Sequence, residues 1–173
     1  MPPLGPMGRF LEQAKAIVGT ENVIHYPDDL LVFEYDGSVD RGLPGAVVFP
    51  ISVEEVSEVM AVAYEESLKV VGRGSGTGLS GGAISSPGGV QIAFTRMHHI
   101  LEVNTENRTA TVEPGVINLD LDTYVHKFGM RYAPDPSSQK ACSLGGNIAE
   151  NAGGPHCLAY GTTTNHVLGM EVV

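Results

Sequence analysis

Apolar residues recur at helical spacing from Gly8 to Val18, where Phe10, Leu11, Ala14, Ile17 and Val18 share one side and Gly19 ends the run. The spacing predicts a short amphipathic helix. The run DDLLVFEYD, Asp28 to Asp36, follows Pro27 and can begin as a helix capped by Asp28 or Asp29; its polarity marks an ordered excursion before the core. Ala46 to Phe49 is a short apolar run closed by Pro50, and Ser52 and Glu55 then stand at capping-box spacing. Val53, Val56, Val59, Met60 and Ala63 form the apolar face of the helix that follows, and Lys69 to Gly72 reads as a second buried strand. Strand, helix and strand in that order predict a parallel β-α-β unit.

Beyond a glycine-rich stretch the period changes. Short runs at Val90 to Phe94, Ile100 to Val103 and Thr109 to Glu113, separated by turn formers, predict an antiparallel meander. A helix capped at Asn118 should follow, with Leu119, Leu121, Tyr124, Val125 and Phe128 inward and Gly129 as its stop. Met130 to Tyr132 and Val167 to Val173 read as further short strands. A chain that ends inside the apolar run VLGMEVV reads as a fragment. Residues 1–45 are read as a helical lead-in and 46–173 as the main domain, in an α+β fold.

Composition narrows the function classes. Twenty acidic against ten basic residues give a net charge of −10, and there is no Trp and only 6% aromatic content. Phosphodiester backbones and anionic lipid are repelled by such a surface, and no stacking platform for single strands is present. The two cysteines, Cys142 and Cys157, match no zinc or iron–sulfur spacing, so no metal site is expected and both read as reduced thiols. The start, MPPLGPMGRF, has no signal-like pattern, and no run approaches a membrane span, so the expected location is the cytoplasm. Asn107-Arg108-Thr109 matches a glycosylation sequon, which chance explains in this context.

Candidate chemistry concentrates in two segments. VVGRGSGTGLSGG, from Val70 to Gly82, brings a buried strand into six glycines whose bare backbone can present successive N–H groups to an anion, a diphosphate above all. Arg73 can add charge, and Ser75, Thr77 and Ser80 add hydroxyls. Gly76, Gly78 and Gly81 formally satisfy G-x-G-x-x-G, but Pro87 and two glycines stand where a dinucleotide fold needs a helix, and no Gly-Lys-Ser or Gly-Lys-Thr makes a Walker loop. Gly78-Leu79-Ser80-Gly81-Gly82 likewise lacks the helix of a nucleophile elbow. A flexible turn is the plainer reading of the same glycines.

The second segment runs from Ala133 to Gly161. Pro134 and Pro136 stiffen a turn that Asp135 and Ser137 can bond, and Gly145, Gly146, Gly153 and Gly154 leave backbone bare. If SLGGNIAEN is helical, Asn147 and Asn151 share a face and offer amides to a ring edge; close helix packing is the alternative. His98, His99 and His126 lack metal spacing, while His156 and His166 flank the glycines as candidate ring-side donors.

The loop, the turn PDPSS, the run SLGGNIAENAGG and the close YGTTTNHVLGMEVV, in this order, resemble the FAD-binding domain of the vanillyl-alcohol oxidase (PCMH-type) flavoprotein superfamily. The glycolate oxidase D-subunit and D-2-hydroxy-acid dehydrogenase branch is the nearest likeness. The resemblance implies two α+β subdomains binding FAD, with the domain cut before its end and the cap domain, which carries the catalytic groups, outside the chain. It implies cofactor contacts at Arg73, Gly74, Ser75, Gly76, Thr77, Gly78 and Ser80; at Pro134 and Asp135; and at Gly145, Gly146, Asn147, Asn151, Gly154 and Gly161. Some members attach FAD through a loop histidine; this loop has none, so non-covalent binding is implied. The implied chemistry is oxidation of a small 2-hydroxy acid to the 2-oxo acid. A second flavin-type subunit and an iron–sulfur subunit are implied partners, with peripheral membrane association through them. A stand-alone flavin or nucleotide module, or an inactive remnant, is the alternative.

Overall fold

The computed structural model describes residues 4–173, which form two compact units. The first runs to Arg73 and resumes over Gly78–Arg96, with Val173; the second comprises Gly74–Thr77 and Met97–Val172. The glycine run therefore leaves one unit, contributes four residues to the other and returns.

In the first unit, α1 (Pro6–Val18) starts two residues earlier than its apolar spacing suggested, because Pro6 sits at the head of the helix where a missing N–H is harmless. It is followed by β1 (Val23–Ile24), α2 (Pro27–Leu30) and a 3₁₀ turn over Leu31–Phe33. Pro27, not Asp28 or Asp29, opens α2, and the residue before it, Tyr26, caps without a side-chain bond. Next come β2 (Ala46–Val48), α3 (Val53–Glu65) and β3 (Val70–Arg73). Ser52 Oγ accepts from Glu55 N–H at 3.2 Å, while the Glu55 carboxylate accepts from Ile51 N–H at 2.8 Å, one residue upstream of the usual capping-box partner.

The expected three-strand meander is not formed. β4 (Val90–Ala93) instead lies between β2 and β3, parallel to both, in a sheet ordered β1-β2-β4-β3. All four of its residues are buried, as a central strand requires. Alternate strand residues serve opposite faces. Ala46, Val48, Val90 and Ile92 pack with Phe10, Ala14, Val59 and Ala63 of α1 and α3, and Val47 and Ala93 pack with Leu30, Phe33 and Phe49. Each buried Val, Leu, Ile or Phe among them contributes about 1.5–3 kcal/mol.

In the second unit, β5 (Ile100–Asn104) and β6 (Thr109–Val112) form an antiparallel hairpin. The helix α4 (Asn118–His126) follows, with Leu121 and Val125 buried against Val116 and Leu144. Tyr124 and Phe128 face outward, contrary to expectation; the Lys127 ammonium lies 3.4 Å from the Tyr124 ring centre, so the aromatic face is covered by a cation. Gly129 ends the segment at φ +69°, the left-handed stop its position required. Met130 to Tyr132 and Val167 to Val173 are not strands, and neither has a strand partner among the described residues. Two short helices complete the unit, α5 (Leu144–Ala149) and α6 (Cys157–Tyr160). Among the described residues no helix is long and apolar enough to cross a membrane.

Candidate functional site

The glycine run reaches the second unit as Gly74–Thr77. A Cβ built on Gly74 would lie 2.2 Å from Ser143 Oγ and 3.6 Å from Gly146 Cα, so glycine lets the loop lie directly on the start of α5. Ser143 caps that helix, accepting from Gly146 N–H at 3.3 Å. Gly145 has the same property toward Pro114, whose Cβ would be 2.7 Å from an added methyl, and its N–H donates to Pro114 O at 2.8 Å. Gly76 takes φ +68°, which turns the loop back. The N–H groups of Ser75, Gly76, Thr77 and Gly78 donate to no acceptor among the described residues. Unpaired donors along bare backbone are the requirement of an anion cradle.

Two buried side chains beside this arrangement carry unsatisfied atoms. Asn147, on α5, is buried with no partner for Nδ2. Asn118, fully buried on α4, donates from Nδ2 to Pro134 O at 3.2 Å and leaves Oδ1 unpartnered. Native interiors seldom leave such groups unpaired, and a bound ligand is one way of satisfying them. Asn118 and Ser143 were not singled out from sequence. The expected cap at Asn118 is not formed: Ile117 takes the cap position without a side-chain bond, and Asn118 is the first residue of α4, its buried amide holding the Pro134 carbonyl; Ser143 could have been found from its spacing to Gly146.

The PDPSS turn is fixed to the later glycines. A Cβ on Gly154 would meet Asp135 O at 2.2 Å, and Asp135 is ion-paired with His156 through Oδ2 and Nδ1. The hydrogen bond from His156 holds the Asp135 carboxyl below the usual range, against a smaller opposing effect of burial. Burial, reinforced by Cys142, pushes the Tyr132 phenol up to about 12, so it stays protonated. His166 meets Tyr160 O at 2.9 Å.

Asn147 and Asn151 do not share a helix face. α5 ends at Ala149, and Asn151 adopts φ +50°, its Oδ1 accepting from Thr164 N–H at 3.1 Å and Thr164 Oγ1 at 3.0 Å. Gly161, at φ +82°, lies beside Asn165. Arg73, Gly78 and Ser80 belong to the first unit. The Arg73 guanidinium is buried, donates to Tyr35 O at 2.9 Å and Phe33 O at 3.5 Å, and lies 5.6 Å from the Phe33 ring centre. Burial draws its pKa down, with Asp36 opposing. Among the described residues no group of His, Cys, Asp and Glu is arranged to hold a metal.

The family model for the FAD binding domain matches residues 44–173. Glycolate oxidase subunit GlcD of Escherichia coli (strain K12) is 46% identical over 151 residues, 87% of this chain and 30% of that protein. D-2-hydroxyglutarate dehydrogenase of Stutzerimonas stutzeri (strain A1501) is 35% identical over 165 residues, 95% of this chain and 36% of its own length. The solved structure of p-cresol methylhydroxylase with substrate bound superposes with a TM-score of 0.77 at 20% identity, over 87% of this chain and 30% of that one, and shares the fold. The chain thus spans about a third of the curated relatives it matches. It belongs to the FAD binding domain family, and the unpaired loop amides, the methyl-free contacts of Gly74 and Gly145 and the free Asn147 amide fit that cofactor.

Proposed function

We propose that this member of the FAD binding domain family is the cofactor-holding part of an oxidoreductase that converts a 2-hydroxy acid of the glycolate or D-lactate type to the 2-oxo acid. The observation that carries this reading is the 46% identity, across most of the chain, to a protein named for glycolate. A second relative is likewise named for a 2-hydroxy acid.

FAD, when bound, supplies the acceptor for the hydride that leaves the carbinol carbon. The residues of this chain bind and orient. In this reading the N–H groups of Ser75, Gly76 and Thr77 donate to the diphosphate, joined by the Ser75 and Thr77 hydroxyls. Asn147 donates from Nδ2 to a ring-edge acceptor, and Gly145 and Gly146 keep that wall flat. Pro134, Asp135 and Gly154 form a second wall, with Asn151 and Gly161 shaping the segment behind it. The loop offers no histidine for a covalent link, so binding is non-covalent. The base for the hydroxyl and the cations for the carboxylate belong, on this reading, to the part of the protein that corresponds to the relatives' remaining length. The description of one relative as a subunit supports assembly with further subunits.

Titrating the apo chain with FAD tests the cofactor reading: quenching of flavin fluorescence at one equivalent is expected, and no uptake refutes it. Dye reduction by the full-length protein with glycolate, D-lactate or D-2-hydroxyglutarate then identifies the acid, and reduction by none of the three refutes the substrate class.

A further inference from the structure

In the first unit, one segment, Phe33–Gly42, touches both limbs of the glycine run. On the incoming limb, Arg73 donates to Tyr35 O and Phe33 O. On the outgoing limb, Gln91 Nε2 donates to Ala83 O at 3.1 Å and also to Phe33 O at 2.9 Å, so the same carbonyl serves both sides. Gly81 faces Asp40 and Ser38, with Asp40 Oδ2 3.3 Å and Ser38 Oγ 3.8 Å from where its Cβ would be. A Cβ on Gly42 would fall 2.0 Å from Ser85 O, so the segment's end lies flush against the chain after the loop. The segment is itself closed. Gly42 N–H donates to Glu34 O at 2.8 Å, Arg41 is ion-paired with Glu34, and Ser38 N–H donates to Asp36 Oδ1 at 2.7 Å.

We infer that Phe33–Gly42 is a brace that sets the separation of the two limbs of the glycine loop, and that Arg73 and Asp36 are positioning residues acting through it without touching the cofactor. A glycine run has no stiffness of its own, since each residue is free to visit both signs of φ. Its N–H groups form a cradle for a diphosphate only if the two ends are held at a fixed span, and preorganised donors bind more tightly than donors that must first be ordered. Arg73 suits the incoming end because its planar fork reaches two carbonyls while its face lies over the Phe33 ring; an ammonium cannot do both. Asp36, buried beside Arg73, has burial opposing its charge, yet Ser38, the Ala83 N–H and Arg73 together keep its carboxyl below the usual range. That keeps a counter-charge at the guanidinium.

The inference rests on the cofactor reading, and the test separates the two. FAD dissociation constants are measured for the wild-type chain and for R73Q, R73K and D36N, with hydrogen exchange of the Gly42 and Ile84 amides followed in the apo proteins. Both amides are bonded, Gly42 to Glu34 O and Ile84 to Gly81 O. The brace predicts at least tenfold weaker FAD binding in R73Q and about threefold in D36N. It predicts no rescue in R73K, and faster exchange of both amides in R73Q with α1 amides unchanged. If Arg73 instead reached the diphosphate directly, lysine would serve as a phosphate cation, so R73K binding within threefold of wild type overturns the brace. Unchanged exchange in R73Q also overturns it. A wild-type chain that takes up no FAD removes the cofactor reading, and the exchange measurement alone then decides the brace.

Discussion

Replacing Gly74 by alanine puts a methyl 2.2 Å from Ser143 Oγ, where ordinary contacts begin near 3.4 Å. The strain has two outlets. The serine hydroxyl can rotate away and give up its cap on Gly146 N–H, at about 1 kcal/mol, or the loop backbone can shift, at about 1–3 kcal/mol for an overpacked site. G74A is therefore expected to lose about 1–3 kcal/mol. S143A alone loses about 1 kcal/mol through the cap. In the double variant the offending oxygen is gone, and the nearest remaining atoms, Ser143 Cβ at 3.5 Å and Gly146 Cα at 3.6 Å, are ordinary contacts. G74A/S143A should then be about as stable as S143A, a favourable coupling of roughly 1–3 kcal/mol, equal to the whole loss in G74A. Urea unfolding of the four proteins reads this as midpoints at constant slope. Additivity of the two single losses within about 0.5 kcal/mol refutes the contact between loop and helix start.

Three further outcomes follow from the same structure. N147L removes a buried, unpartnered amide, so apo stability should hold or rise while FAD binding weakens by roughly three- to tenfold; loss of stability without loss of affinity assigns Asn147 to packing. The folded Asp135 carboxyl lies below its unfolded value of about 3.9, so its contribution is complete above that pH and is lost as pH falls through the lower folded value. H156N should flatten the acid limb of the stability curve, and an unchanged slope argues against the pairing. S52A removes the α3 cap and should cost about 1 kcal/mol in thermal or urea unfolding, with FAD affinity unchanged.

Several of these features were legible in the residues themselves. The helix start at Ser52 and the left-handed stop at Gly129 announce themselves because local chemistry decides them. Three errors share a different origin. β4 was read as part of a meander because no helix separates it from β3, and consecutive strands without a helix usually pair antiparallel; here the glycine run itself is the crossover. Asn151 was placed on a helix that Glu150 already leaves, since nothing local distinguishes a sixth helical residue from an eighth when a glycine pair follows. Val167 to Val173 has the composition of a strand, but a strand exists only with a partner. The role of Asn118 was hidden for the same reason, since the carbonyl it holds lies sixteen positions away.

The sheet order has a consequence for how the protein is made. β4 is the last of the four strands to be synthesised, yet it occupies the position between β2 and β3, with Val90 facing both Ala46 and Val70. Until it leaves the ribosome, both neighbours present an open edge, and the parallel pairs can close only after a long stretch of chain is available. The hairpin of β5 and β6, joined by a short turn, faces no such delay. A nascent chain paused before Val90 is therefore the species most exposed to chaperone capture or edge-to-edge association.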